Sequence, residues 1–199
     1  MAEQEHDHEE HEIRGQLAPE PEGEDVEREA RRLLALSRIR QYGDGALRMK
    51  ARDVESFDDD LRRLVDRMTS LMHEAQGVGL AATQVGVLRR VFVFVDDGED
   101  RVLVNPVITV RSNEVVTDDE GCLSLREVLV PVERSVSVTI EGADVAGKPV
   151  KLELQVPSAR IVQHELDHLD GVLIIDRTDD DSRRAALARL RPQPVLGAR

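Results

Sequence analysis

Two histidines one helical turn apart, with a glutamate beside the first, are suited to holding a metal ion and using it. The stretch ARIVQHELDHLDGV (residues 159–172) contains two of the chain's six histidines, His164 and His168, with Glu165 between them. If the stretch is helical, positions i and i+4 put both imidazoles on one face, where they can hold one divalent ion. Glu165 then projects about 100° away from His164 and can reach an ion's water without being a ligand. This is the logic of hydrolytic HExxH sites. The bare pattern also arises on charged surface helices. Here Ile161, Val162, Leu166 and Leu169 argue for a partly buried helix, where purposeless histidines and acids would be costly.

A catalytic ion needs three protein ligands and one open position. Neither His nor Glu follows His168, and the aspartates there (Asp170, Asp176, Asp179 to Asp181) fall at a helix end or in a loop or cap. The third ligand is therefore expected upstream. Cys122, in DDEGCLSL, is the candidate, because a thiolate and two imidazoles suit Zn²⁺ or Fe²⁺. The plainer reading of a lone cysteine is a small core residue. The third piece is GVGLAATQVG (residues 77–86). Gly77 and Gly79 permit close backbone approach, and Gln84 offers an amide able to donate to a carbonyl oxygen. The bland alternative is a tight turn into the next strand. No GK[ST] follows, so nucleotide binding is set aside. His6, His8 and His11 lie in an acidic tail, where loose metal binding competes with simple solvation.

These residues need elements to position them. Ser158 is a candidate N-cap for the histidine helix and Gly171 its stop. SFDDDLRRLVDRMTSLMHEA (residues 56–75) reads as a helix capped by Ser56, with acids in its first turn and a stripe of Leu61, Leu64, Val65, Met68, Leu71 and Met72. RRVFVFV and RVLVNPVITV read as strands. VERSVSVTIEGADVAGKPVKLELQV reads as two strands turning at Gly147. VEREARRLLAL is expected as a short helix before the domain, and DDDSRRAALARLR as a terminal helix ended by Pro192. The fold expected is α+β: antiparallel or mixed strands packed around a central metal-binding HExxH helix, with further helices near both ends. Residues 1–37 are expected to form an acidic extension, disordered over about its first 25 residues, 38–178 the catalytic domain, and 179–199 a C-terminal helix and tail.

The 199 residues are enough for one well-buried core. Aromatic residues make up only 2% and Trp is absent, so that core must be aliphatic. Twelve Asp/Glu against two Arg in residues 1–30 account for most of the net charge of −13. The remainder is near neutral and does not support direct nucleic-acid binding through a basic face. The chain lacks a membrane-length apolar run and a signal-like start, and its single cysteine cannot close an internal disulfide, so a cytoplasmic protein is expected.

GVGLAATQ (77–84), EGCLS (120–124) and QHELDH (163–168) together resemble the three motifs of the peptide deformylases, in the same order and at similar separations. QYGDGALRMKA, DLRRLVDRM, RRVFVFV, VNPVI and LDGVLIIDR extend the resemblance over about residues 38–178. The resemblance implies that Cys122, His164 and His168 bind one divalent metal, Fe²⁺ in the cell with Zn²⁺ or Ni²⁺ able to substitute. It implies removal of the formyl group from N-formylmethionyl nascent peptides, releasing formate. Glu165 would shuttle the proton, and the Gln84 amide and Leu123 N–H would stabilise the oxyanion. The backbone at Val78 and Gly79 would pair with the peptide, and Ile161 would line the methionine pocket or merely pack its helix. Arg134 is expected to shape the site or simply to end a turn. The chain departs from the family in LREVLVPVERS after EGCLS, in LQVPSARIVQHE before the histidines, and in the acidic extension. Rival readings are an HExxH metallopeptidase and a non-catalytic binder of nascent peptides or ribosomes. RRAALARLR is a possible ribosomal contact, though an ordinary surface helix explains it equally well.

Overall fold

The structure, a computed structural model, describes residues 23–191. In chain order it contains α1 (Gly23–Ser37), α2 (Asp59–Glu74), β1 (Gly79–Ala81), β2 (Val91–Asp96), β3 (Glu99–Arg111), β4 (Val115–Cys122), β5 (Leu125–Ser135), β6 (Ser137–Ala143), β7 (Pro149–Gln155), α3 (Ser158–Leu169) and α4 (Asp180–Leu190). Short 3₁₀ turns occupy Gly45–Arg48, Ala82–Val85 and Ile174–Asp176. The strands form two antiparallel sheets, one in the order β1-β2-β3-β6-β7 and one of β4 and β5 alone. The two-stranded sheet is an excursion of the chain between β3 and β6. The mixed α+β class expected from the sequence is what the chain adopts. The expectations for the tail histidines, for residues 1–22 and for Pro192 lie outside the described residues.

Strand β2 shows why its sequence is apolar without alternation. Val91 and Val93 face α2, joining Leu61, Leu64, Val65, Met68, Leu71 and Met72 in one core cluster. Phe92 and Phe94 face the other way and pack with Ala159, Val162 and Leu169 of α3. A strand covered on both faces has no solvent side to make polar. The helical stripe read in α2 is fully buried. A third cluster joins Leu125, Val128, Val130 and Val132 of β5 to Ile174 and Ile175 of the last 3₁₀ turn and to Ala186 of α4.

Several boundaries differ from the sequence reading, each for a local reason. The cap of α2 is Asp58 rather than Ser56, because the Asp58 carboxylate accepts the Leu61 N–H. Ser158 is the first residue of α3 rather than its cap, and its side chain is buried against the fold. The glycine stretch includes a short edge strand, β1, which pairs with β2. EGC ends strand β4 and VERS ends β5, so the segment after EGCLS is half of a hairpin. Gly171 follows α3 at φ +75°, the left-handed stop its sequence suggested. A Cβ there would lie 2.7 Å from the Arg48 carbonyl oxygen. Gly171→Ala is therefore expected to destabilise the fold by about 1–3 kcal/mol in urea titrations, with the slope unchanged.

Candidate active site and metal centre

Helix α3 presents its histidines as their spacing requires. The His164 and His168 rings lie 4.9 Å apart, centroid to centroid. Strand β4 ends beside them, and Glu120 and Cys122, two residues apart, reach toward the same side. Cys122 Sγ is 3.2 Å from His168 Nε2, and Cys122, His164 and His168 offer ligand atoms all within 4.8 Å of one another. Among the described residues this is the one such group of three. His164 Nδ1 sits 3.1 Å from a Glu120 carboxylate oxygen. With Nδ1 donating there, Nε2 keeps its lone pair, and a carboxylate oriented this way fixes both tautomer and ring plane. One sulfur and two imidazoles held this closely fit Fe²⁺, Zn²⁺ or Ni²⁺.

Behind the histidines lies a charge network that sequence spacing did not announce. Arg134 of β5 grips Glu120 with two nitrogens, at 2.9 and 3.0 Å, and Asp167 with a third at 2.6 Å. Arg160 adds a 2.8 Å contact to Glu120, and Arg177 one of 2.6 Å to Asp167. Burial alone would raise the Glu120 carboxyl. The hydrogen bonds from His164 and Arg134, with the Arg134 charge, outweigh it and hold the group at about 2. Glu120 is thus a fixed carboxylate that orients a histidine. Arg134, expected at the margin of the site, anchors it from behind. Glu120, Arg160, Asp167 and Arg177 had no assigned role, and only the inward parity of Arg134 with Val132 and Val130 on β5 hints at a buried charge.

Glu165 lies on the groove side. Burial raises its carboxyl to about 7, and its Oε2 has no hydrogen-bond partner in the protein. A buried carboxylate with a free oxygen, beside three atoms able to ligate a metal, is placed to take a proton from water. Its position depends on glycine. A Cβ on Gly79 would lie 2.3 Å from Glu165 Oε1 and 3.0 Å from Ile161 Cγ2, and one on Gly77 would lie 2.7 Å from Leu123 Cδ1. The glycines let β1 approach α3 and the β4–β5 turn. Gly79→Ala is accordingly expected to displace the carboxylate and cost about 10²-fold in kcat, read by steady-state kinetics on a folded variant.

Gln84 is fully buried and oriented. Its Oε1 accepts the Ala81 N–H at 2.9 Å, which turns the amide nitrogen toward Ser124 Oγ at 3.1 Å and Cys122 Sγ at 3.8 Å. Gly77, Val78, Gly79, Gln84, Cys122, Leu123, Ile161, His164 and Glu165 all line one groove of about 680 Å³. Of the catalytic, metal-ligating and substrate-binding residues read from the sequence, only His168 is absent from the groove lining; it is buried and 3.2 Å from Cys122 Sγ.

Comparison with known proteins agrees with this geometry. The polypeptide deformylase family profile matches residues 36–184. A peptide deformylase of Acidothermus cellulolyticus is 46% identical over 164 residues, 82% of this chain and 91% of its own. One of Parafrankia is 44% identical over 154 residues, 77% of this chain and 84% of its own. Among solved structures, the Thermotoga maritima peptide deformylase superimposes with a TM-score of 0.70 at 42% identity, covering 71% of this chain and 97% of that one. A plant peptide deformylase gives 0.74 at 39% identity, covering 77% and 86%. No helix among the described residues is long and apolar enough to cross a membrane. The chain belongs to the peptide deformylase family, metal-dependent hydrolases that remove the formyl group from the N-terminus of newly made polypeptides.

Proposed function

We propose that Cys122, His164 and His168 hold the single catalytic ion of this deformylase, Fe²⁺ in the cell with Zn²⁺ or Ni²⁺ able to replace it, and that Glu165 is its general base and acid. The close set of one sulfur and two imidazoles beside a buried carboxylate supports this reading above all. When bound, such an ion lowers the pKa of water and polarises a carbonyl. Glu165 takes the proton from the attacking water and returns it to the amine that leaves with the peptide. The Gln84 amide and the Leu123 N–H donate to the formyl oxygen as negative charge gathers there. Glu120 holds His164 by Nδ1, and Arg134 holds Glu120.

The substrate enters along β1. This strand is an edge of the five-stranded sheet, and the backbone at Val78 and Gly79 pairs with the peptide main chain, a mode indifferent to side chains. Ile161, half-buried one turn before His164 and against Gly79, lines the methionine pocket. Helix α3 is then the central metal-binding helix of a catalytic unit spanning residues 38–178, with residues 179–199 as its C-terminal helix and tail. A cytoplasmic setting beside the ribosome fits a substrate that is a nascent chain and a lone free cysteine. The arginines of α4 leave a ribosomal contact open to direct test by cosedimentation.

Formate release from formyl-Met-Ala-Ser tests the reading, with protein prepared without oxygen and loaded with Fe²⁺ or Ni²⁺. Wild type is expected to release formate, and Cys122→Ala to lose both the ion and the activity. A Cys122→Ala protein that keeps its ion as tightly would instead favour a metallopeptidase with a different third ligand. Removing one oxyanion donor, as in Gln84→Leu, is expected to lower kcat about 10²–10³-fold with metal content unchanged.

A further inference from the structure

The groove does not end at the methionine pocket. Its outer wall is α1, a helix that lies almost entirely outside the family match at residues 36–184. Ala35 and Leu36 anchor α1 in the core it shares with α2. Leu33, three residues before Leu36 and so on the same face, lines the groove together with Val78 and Leu129. All three are large apolar residues left exposed, at 49%, 57% and 66%. Single exposed leucines need no explanation, but three lining one cavity do. The charges nearest Leu33 on α1 neutralise each other, since Arg32 and Glu29 pair at 3.0 Å. Across the groove Leu129 lies over Gly121, where a Cβ would meet Leu129 Cδ2 at 3.1 Å, so this apolar wall begins one residue from Cys122. A groove of about 680 Å³ has room for more of the peptide than one side chain.

We propose that Leu33, with Val78 and Leu129, forms an apolar subsite for one side chain of the nascent peptide just beyond formylmethionine. Helix α1 thereby gives this chain a substrate preference that the catalytic unit alone does not have. The proposal rests on the deformylase reading above. An extended peptide points successive side chains to opposite faces, so the subsite takes the second or the third residue and not both.

The test compares kcat/KM for formyl-Met-Ser-Ser, formyl-Met-Leu-Ser and formyl-Met-Ser-Leu on the metal-loaded full chain. Leucine at one of the two positions is expected to raise kcat/KM about tenfold, through KM. Leu33→Asp, at a half-exposed position, should bring the leucine peptide down to the kcat/KM of formyl-Met-Ser-Ser, so that the ratio of the two falls to about one. Leu34→Asp serves as the control, because Leu34 is 66% exposed and does not line the groove; it should change nothing. Equal rates for all three peptides in wild type, or an equal loss on all three in Leu33→Asp, would overturn the subsite while leaving deformylation standing. No formate from any peptide would overturn deformylation, and the subsite with it.

Discussion

Glu165→Gln is expected to lower formate release by about 10²–10⁴-fold while the protein keeps its ion, and to be more stable than wild type once that ion is stripped. The loss follows from chemistry: the amide cannot accept the proton from water or return it to the leaving amine. The gain follows from burial. The Glu165 carboxyl is raised to about 7 in the folded protein, against an ordinary glutamate value of about 4.5. A carboxyl that prefers to stay protonated when folded contributes fully below about pH 4.5 and loses that contribution as the pH climbs to about 7. Above pH 7 the metal-free fold therefore carries a penalty of about 3 kcal/mol, which glutamine abolishes. Urea melts of the metal-free proteins at pH 8 and pH 4.5 should show Glu165→Gln more stable at the first and level with wild type at the second. A variant that lost turnover and stability together at pH 8 would mark Glu165 as a structural group only.

Arg134→Met is the second large effect, and it is structural first. Arg134 is buried and makes three hydrogen bonds to Glu120 and Asp167. Removing it leaves two buried carboxylates short of countercharge, a loss of about 3–5 kcal/mol. The variant should also change its response to acid. Glu120 sits at about 2 in the folded state, so its contribution to stability is present above about pH 4.5 and disappears as the pH falls toward 2. Without Arg134 that acid-dependent share shrinks, and stability between pH 5 and pH 3 should fall less steeply than in wild type. Because His164 leans on Glu120, the ion should also bind more weakly, measurable by chelator competition. Arg134→Lys, which keeps the charge but not the two-nitrogen grip, should recover stability in part and metal affinity less.

Features with a local cause could be read from residues alone. The α2 stripe and the existence of strand β2 follow from patterns that repeat within a few residues. The histidine face of α3 follows from a spacing of four, and Gly171 from the need for positive φ. The parts that escaped depend on partners far away in the chain. VVTDDEGC (residues 115–122) is acidic and mostly exposed, with no alternation to mark a strand; it is one because β5 pairs with it. Glu120 and Arg134 stand 14 residues apart, and Arg160 reaches Glu120 from 40, distances at which nothing local distinguishes a buried ion pair from two surface charges. Ser56 was the cap expected from the residues alone, and tertiary placement gave that role to Asp58. The site residues themselves were named on the strength of three motifs whose meaning lies in their combination.

The excursion of β4 and β5 out of the main sheet bears on how the molecule wears out. The two sheets share no ladder of their own, and Cys122 and Glu120 ride on the smaller one while His164, Glu165 and His168 belong to a helix laid on the larger. Catalysis thus reports on a seam. Amide exchange should find the hairpin opening at lower free energy than β2 and β3, as a separate cooperative unit. Mild heat or denaturant would then silence the enzyme while its central strands remain intact, and re-closing the seam, rather than refolding the chain, would restore it.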